Sequence, residues 1–262
     1  MSASRILLGF LLLAAARPAH AFDPIVRALS KGTVNWTTLD LCTQAAEANS
    51  SGSMAGYEAL EGRARSTLGP RMLDLAREVR FGASQTTGDL MASELAVADK
   101  LDANVSLWEV NEARYYTSGR VEVDVCLAIH PWLRPALSRV AVGVDRSSPA
   151  GVPITGLIVD ARGLRLEPAV SPELHGASGI LYGGASMTSF AASQRPFVIY
   201  VSDPADPLAV RRAGEQPLIV RAASVVDEVN VLLDGPGQVA LAAAVAGAGF
   251  LAQGTVVIVM DP

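Results

Sequence analysis

Basic residues are scarce and dispersed in this chain of 262 residues, in which lysine occurs only at Lys31 and Lys100. Arg211 and Arg212 are the only basic residues that adjoin one another, and the formal net charge is −5. Binding to nucleic acid depends on clustered lysine and arginine side chains that neutralise phosphates. The composition therefore predicts no nucleic-acid partner.

Histidine and cysteine, the usual nitrogen and sulfur ligands of metals, are equally rare, with three and two residues respectively. A structural zinc site needs four such ligands, usually with two of them at short spacing. Cys42 and Cys126 are far apart, and so are His130 and His175. We expect no metal and no other cofactor.

Catalytic motifs are also missing in their complete form. Asp160, His175 and Ser186 could form a hydrolase triad, but the segment Gly184-Ala-Ser-Met-Thr188 has only the first glycine of a G-x-S-x-G nucleophile elbow. Glycine pairs such as Gly183-Gly184 lack the Lys-Ser/Thr of a phosphate-binding loop. The sequence favours a protein that is not an enzyme.

The N-terminus has the features of a secretory signal peptide. A basic Arg5 precedes the apolar run 6–16, and Ala19-His-Ala21 resembles a cleavage site, so residues 1–21 are predicted to be removed and the mature chain to begin at Phe22. Removal takes away two arginines and no acidic residue, which changes the net charge from −5 to −7. We predict an exported protein in the periplasm or at the outer membrane.

The two cysteines have two interpretations in such a compartment. Cys42 and Cys126 both fall in predicted strands, and an exported protein can keep a disulfide bond. They could equally be two buried free thiols, because cysteine packs well in a core. The sequence leaves these alternatives open.

Residues 22–145 are predicted to form an α+β domain with a long helix on an antiparallel sheet, in the order β-α-β-β. Residues 38–46 suit a strand, and residues 105–112 and 120–129 form a hairpin with period-two alternation. The helix is predicted over 54–79, where apolar residues recur every three or four positions: Leu60, Ala64, Leu68, Met72, Leu75 and Val79. Gly69-Pro70 predicts a kink or two shorter helices, and residues 89–100 predict another helix.

A Ser/Pro/Gly-containing linker is predicted at 146–153, and a second, mixed α/β domain at 154–262. Strands are expected at 156–159, 196–201, 218–225, 229–233 and 255–260, with a helix at 238–247. The apolar stretch Val239–Ala252 is shorter than the ~20 residues of a membrane span. We therefore expect a core helix there, and no transmembrane span in the mature chain.

The corner Asp160-Ala-Arg162-Gly163 follows the first strand of this second domain. Asp160 and Arg162 are two residues apart at a strand end, so both side chains could recognise a ligand or a partner. Alternatively Asp160 accepts N–H groups of the turn and pairs with Arg162, while Gly163 supplies the permissive backbone. The sequence favours this structural interpretation.

The segment Thr155–Leu164, TGLIVDARGL, together with Pro168, Pro172 and Tyr182-Gly183, resembles a motif of the bacterial LPP20-like envelope proteins. This group includes flagellum-associated outer-membrane lipoproteins. The resemblance extends to Val79-Arg-Phe81 and to Tyr115-Tyr-Thr-Ser-Gly119. It implies a structural or assembly role, with self-association or other envelope proteins as partners, and it implies no catalytic residues.

Three features depart from that family. Gly69-Pro70 interrupts its long helix, and Glu78 stands where glycine is usual. The acylated cysteine of the lipoprotein members is also missing. We therefore expect a soluble periplasmic protein, or one with peripheral outer-membrane contact.

Overall fold

The structure is a computed structural model that describes residues 22–49, 56–143, 154–245 and 249–262. The predicted signal peptide 1–21 and the predicted linker 146–153 lie outside these ranges. Two β-sheets with several helices confirm the α+β class. One sheet comes from residues 22–143 and the other from residues 154–262.

The first sheet is antiparallel throughout, with the strand order β1-β2-β3-β5-β4. Its strands are β1 Val26–Leu29, β2 Gly32–Asn35, β3 Asp40–Ala48, β4 Glu109–Tyr115 and β5 Arg120–Ala128. Valines alternate with polar residues along β5, so one face of the sheet is buried and the other faces solvent. The sequence did not predict the short hairpin of β1 and β2.

Helix α1, Tyr57–Glu78, covers the buried face of this sheet. All six residues of the predicted apolar stripe are buried. The helix runs without interruption through Gly69-Pro70, so the prediction of two shorter helices was wrong. Pro70 has no N–H group and cannot donate to the Ser66 carbonyl. Because both residues are exposed, water can bond this carbonyl instead.

Three further helices complete this part of the chain: α2 Thr87–Ser93, α3 Leu95–Asn104 and α4 His130–Val140. The sequence predicted one helix at 89–100, but the chain breaks at Glu94, which has extended backbone angles. The sequence missed α4 because it contains Pro131 and Pro135. Pro131 lies in the first turn, where a missing N–H costs no helical bond, whereas Pro135 lies inside the helix and leaves the Pro131 carbonyl without its helical donor.

The second sheet is mixed, with the strand order β8-β7-β11-β10-β6-β12-β9. Its strands are β6 Gly156–Asp160, β7 Leu174–Gly176, β8 Gly179–Tyr182, β9 Ile199–Val201, β10 Pro217–Val226, β11 Asn230–Leu233 and β12 Val256–Val259. The neighbours β10, β6, β12 and β9 are all parallel to one another. β6 and β12 are buried on both faces, as their continuous apolar sequences require.

Helices α5 Ser189–Gln194, α6 Pro207–Ala213 and α7 Gly235–Val245 accompany this sheet. α6 was not predicted, although Asp206 caps it and Pro207 opens it, a recognisable start signal. α7 begins three residues before its predicted start. Across the described ranges, no helix is both long and apolar enough to cross a membrane.

One hydrophobic core extends through both parts of the chain. Trp36 of the first part meets Tyr200 of the second edge-to-face, with ring centroids 5.9 Å apart. Arg80 pairs with Glu228 at 2.8 Å, and the Val170 N–H donates to the Arg80 carbonyl at 3.0 Å. The two parts of the chain therefore contact each other through buried and polar groups, with α4 of the first part packed on α5 of the second.

Candidate functional site

The Asp160 corner lies at the edge of the second sheet where the parallel strands β6, β12 and β9 end together, beside β10, which continues to Val226. Arg221 of β10, Asp160 of β6, Val259 of β12 and Val201 of β9 are neighbours in register. Open parallel sheets bind ligands outside the carboxyl ends of their strands. This position makes the corner the candidate site of the fold.

Asp160 and Arg162 hold each other in a two-pronged ion pair. Arg162 donates from Nε to Asp160 Oδ1 at 2.9 Å and from Nη2 to Oδ2 at 2.7 Å. The Arg162 backbone N–H also donates to Oδ1, at 3.2 Å. Both side chains remain partly exposed, 46% for Arg162 and 33% for Asp160.

Other charged groups surround this pair. Asp261, just after β12, accepts the Gly163 N–H at 2.7 Å, and Gly163 has the positive φ of +80° that glycine adopts without strain. The hydrogen bond from Arg162, reinforced by the charges of Arg162 and Arg221, lowers the pKa of the Asp160 carboxyl against an opposing effect of burial. The pKa of Arg162 is raised, mainly by Asp160, with smaller contributions from Asp203 and Asp261.

This geometry agrees with the structural interpretation of the corner, in which Asp160 accepts a main-chain N–H of the turn and pairs with Arg162. Asp160 stays ionised and Arg162 stays charged, so neither group is suited to exchange protons near neutral pH. An anionic ligand could still reach the exposed part of the guanidinium, in competition with Asp160. The corner can therefore anchor the turn after β6 and offer one cation to solvent.

The other residues considered from the sequence are held apart from Asp160. Ser186 accepts the Gly183 N–H at 3.2 Å, in a short 3-10 turn over 184–186. His175, in β7, contacts Glu173 Oε2 through Nε2 at 3.1 Å. Within the described ranges neither Ser186 nor His175 bonds the other, and no group of three or more His, Cys, Asp or Glu residues could hold a metal.

Cys42 and Cys126 form a disulfide bond across the first sheet. They are directly opposite in β3 and β5, with Cα atoms 4.2 Å apart, and lie on the face that α1 does not cover. Cys126 also lines a cavity of about 440 Å³ beside Leu107, Glu109 and Val110. Of the two alternatives that the sequence left open, the structure has the disulfide bond.

A charged network on the same open face was missed by sequence reasoning. Arg114 contacts three carboxylates, those of Glu112, Glu122 (3.1 Å) and Asp124 (2.6 Å). The Tyr116 hydroxyl donates to Glu122 at 2.7 Å and is the main cause that lowers the pKa of that carboxyl. Strand alternation across the predicted hairpin could have placed Glu112, Arg114 and Glu122 on one face, had its register been known.

No curated protein matches the chain. A family model for the second domain of Treponema pallidum Tp0624 matches residues 156–262, a range that begins with β6 and includes the whole second sheet. The second sheet and its helices are therefore similar to one domain of that protein.

Proposed function

We propose that this chain is a non-enzymatic, exported protein of the cell envelope with a structural or assembly role, in a flagellum-associated or outer-membrane structure. The observation that carries the proposal is the disulfide bond between Cys42 and Cys126, the only cysteines of the chain. Disulfide bonds persist in oxidising compartments and are rare where thiols are kept reduced. The signal-like sequence of residues 1–21 agrees with the same compartment.

The polar side chains that the sequence singled out take part in structural hydrogen bonds. Asp160 and Arg162 stabilise the turn after β6, and Asp261 bonds the Gly163 N–H. Ser186 accepts a main-chain N–H three residues earlier, and His175 contacts Glu173. Groups used in this way fix loops, which supports a structural rather than a chemical role.

The family-model match supports the view that residues 156–262 form a domain that also occurs in other proteins. Residues 156–262 are similar to a domain that Tp0624 carries as its second. The resemblance of Thr155–Leu164 to the LPP20-like envelope proteins points to an assembly role with itself or with other envelope proteins. In this proposal the protein is soluble in the periplasm or in peripheral contact with the outer membrane.

Expression of the full chain in a bacterium, followed by cell fractionation, tests the proposal. We expect processed protein in the envelope fraction, without free thiols, and cross-linked there to itself or to a specific envelope protein. A matched control without residues 2–21 should stay in the cytosol and keep both thiols. Wild-type protein that remains cytosolic, or a strict monomer that cross-links to no envelope component, would count against the proposal.

The alternative is a periplasmic ligand-binding module that uses the Asp160/Arg162 corner. The observation in its favour is the position of the corner at the carboxyl ends of the parallel strands β6, β12 and β9, which is where open sheets bind ligands. A screen of small anions by thermal shift provides the probe. Weaker binding by the Arg162→Ala variant at an unchanged melting temperature supports this module. The Arg162→Lys variant keeps the positive charge but loses the two-pronged geometry, so it shows which of the two the ligand requires.

A further inference from the structure

The outer edge of β4 is unoccupied by any strand in the part of the chain that the structure describes. We propose that this edge binds an extended segment of an envelope partner in which basic and apolar residues alternate. The inference rests on the assembly role proposed above and names the chemistry of its partner. Strand addition to a free sheet edge is a common mode of peptide recognition.

Backbone geometry shows which peptide groups are free at this edge. The 4.2 Å separation of Cys42 and Cys126 is typical of a non-hydrogen-bonded antiparallel pair. The peptide groups of Cys126 therefore point to β4, where its partner is Glu109. Since this direction alternates along a strand, the N–H and C=O groups of Val110 point away from the sheet, towards an incoming strand.

A β-bulge then sets the side chains that a partner would meet. Asn111 is the extra residue, because Val110 pairs with Val125 while Glu112 pairs with Asp124. Glu109 and Glu112 consequently lie on the open face, beside Cys126 and Asp124 respectively. Val110 and Ala113 lie on the other face, and Val110 is 39% exposed.

Charge on the open face favours a basic occupant. Among the paired residues of β4 and β5, the open face carries four carboxylates and only two cations. The carboxylates are those of Glu109, Glu112, Glu122 and Asp124, and the cations are Arg114 and Arg120. Arg114 contacts Glu112, Glu122 and Asp124, and Arg120 contacts Glu122, whereas the carboxylate of Glu109 is exposed and bonds no described residue. Lysine or arginine opposite Glu109 and Glu112 would offset this surplus of negative charge.

A second copy of the chain fits this edge less well. With Glu109 opposite Glu112 of a second copy, two pairs of carboxylates would face each other, which destabilises a sheet. With Glu109 opposite Arg114, the arginine would have to accept a fourth carboxylate beside the three that it already contacts. The net charge of −5 on the whole chain adds to this repulsion.

Apolar surface beside the edge would hold the alternate side chains of the partner. Leu107, just before β4, is 65% exposed, and it lines the cavity of about 440 Å³ together with Val110 and Pro131. Main-chain hydrogen bonds supply the affinity of strand addition, and pockets for alternate side chains supply its specificity. The edge therefore combines free peptide groups, apolar contacts, a surplus of carboxylates and one carboxylate, that of Glu109, that pairs with no described residue.

Fluorescence anisotropy with two labelled peptides tests the inference on protein purified from the periplasm. One peptide alternates lysine and valine over about nine residues, and the other alternates glutamate and valine. We expect only the lysine peptide to bind, more weakly as salt rises. Slower amide hydrogen exchange of residues 107–116 in its presence would locate the contact.

Glu109→Lys should weaken this binding about tenfold or more, because it reverses the charge opposite the peptide's lysines. Its matched control is Glu215→Lys, the same change at an exposed glutamate next to β10, which should leave the affinity within about twofold. Unchanged circular dichroism shows that both variants fold.

Equal binding of both peptides, no binding up to about 1 mM, or an unaffected Glu109→Lys variant overturns the inference. Slow exchange of residues 107–116 in concentrated protein without peptide also overturns it, since a second copy would then occupy the edge. If no peptide binds while the protein still cross-links to an envelope component, only the strand addition fails. A cytosolic, reduced protein would instead overturn the proposed function.

Discussion

Cys42 and Cys126 face each other across β3 and β5, and their bond joins two strands that already pair along the full length of β3. The two residues are 84 positions apart in sequence. In the chain-entropy account, a cross-link over this separation stabilises the folded state by about 4.5 kcal/mol.

We expect the double variant Cys42→Ala/Cys126→Ala to fold, because the β3–β5 hydrogen bonds remain, and to lose about 2–5 kcal/mol of unfolding free energy. Urea unfolding with and without a thiol reductant measures this loss. The reductant should destabilise wild type and leave the double variant unchanged. A wild-type protein that is insensitive to complete reduction would contradict the prediction.

Arg162→Ala should cost no more than about 1 kcal/mol, because the ion pair with Asp160 is partly exposed and screened by solvent. The pKa of Asp160 should rise towards its ordinary value, since Arg162 is the main cause that lowers it. A lowered carboxyl pKa stabilises the fold above the unfolded value of about 3.9, and this contribution disappears as the pH falls. Carboxyl titration by NMR measures the change. An unchanged pKa of Asp160 would show that Arg162 does not control it.

His130 should make stability depend on pH in mildly acidic solution. Its Nε2 donates to the Ala192 carbonyl at 3.1 Å, which requires the proton on that nitrogen. Burial lowers its pKa, and the charges of Arg134 and Arg212 add to this effect, although hydrogen bonds with the Ala192 and Arg195 backbone oppose it. The unfolded chain, with a histidine pKa of about 6.5, therefore takes up the proton first as the pH falls.

The free energy of unfolding should accordingly decrease as the pH falls below about 6.5. Above that value, the stabilising contribution of the neutral His130 should be fully present. His130→Gln keeps a donor for the Ala192 carbonyl but cannot titrate, so its stability should vary less with pH. Chemical unfolding between pH 5.5 and 7.5 compares the two proteins. Equal slopes for both would refute the role of His130.

Tyr200→Phe should destabilise the protein by about 1–3 kcal/mol, because it leaves buried main-chain groups without partners. The fully buried Tyr200 hydroxyl donates to the Ala169 carbonyl at 2.8 Å and accepts the Ala169 N–H at 3.0 Å. Tyr57→Phe is the matched control, since the Tyr57 hydroxyl bonds a single carbonyl near the surface. A lower urea midpoint with an unchanged m-value for Tyr200→Phe alone is the expected result. Equal losses in both variants would contradict it.

The sequence predicts the elements whose apolar pattern is long and regular. The α1 stripe from Leu60 to Val79 and the alternating valines of β5 are both buried as predicted. Helix α4 was missed because Pro131 and Pro135 argue locally against a helix, whereas Trp132, Leu133, Ala136 and Leu137 bury one face in the core. Tertiary packing decides the outcome there.

The candidate site was predictable only in part. The spacing of Asp160 and Arg162 placed both residues at one strand end, and the structure joins them in an ion pair. Asp261 and Arg221 come to the same corner only through the order of the parallel strands, which one sequence does not reveal. The bulge at Asn111 depends in the same way on the register between β4 and β5.

The strand order also has a mechanical consequence. β4 and β1 are the opposite edges of the first sheet, and the β1 side is tied to the second sheet by Arg27–Glu167 at 3.7 Å and by Ser202 bonded to the Asp23 carbonyl at 2.7 Å. A second connection runs from β5 into α4, which packs on α5. A pulling force applied at β4 would therefore reach the second part of the chain by two routes, through β5 and α4 and across the first sheet to β1. The bond between Cys42 and Cys126 is a covalent step on the route across the sheet, so β3 and β5 would stay joined under a load that shears their hydrogen bonds.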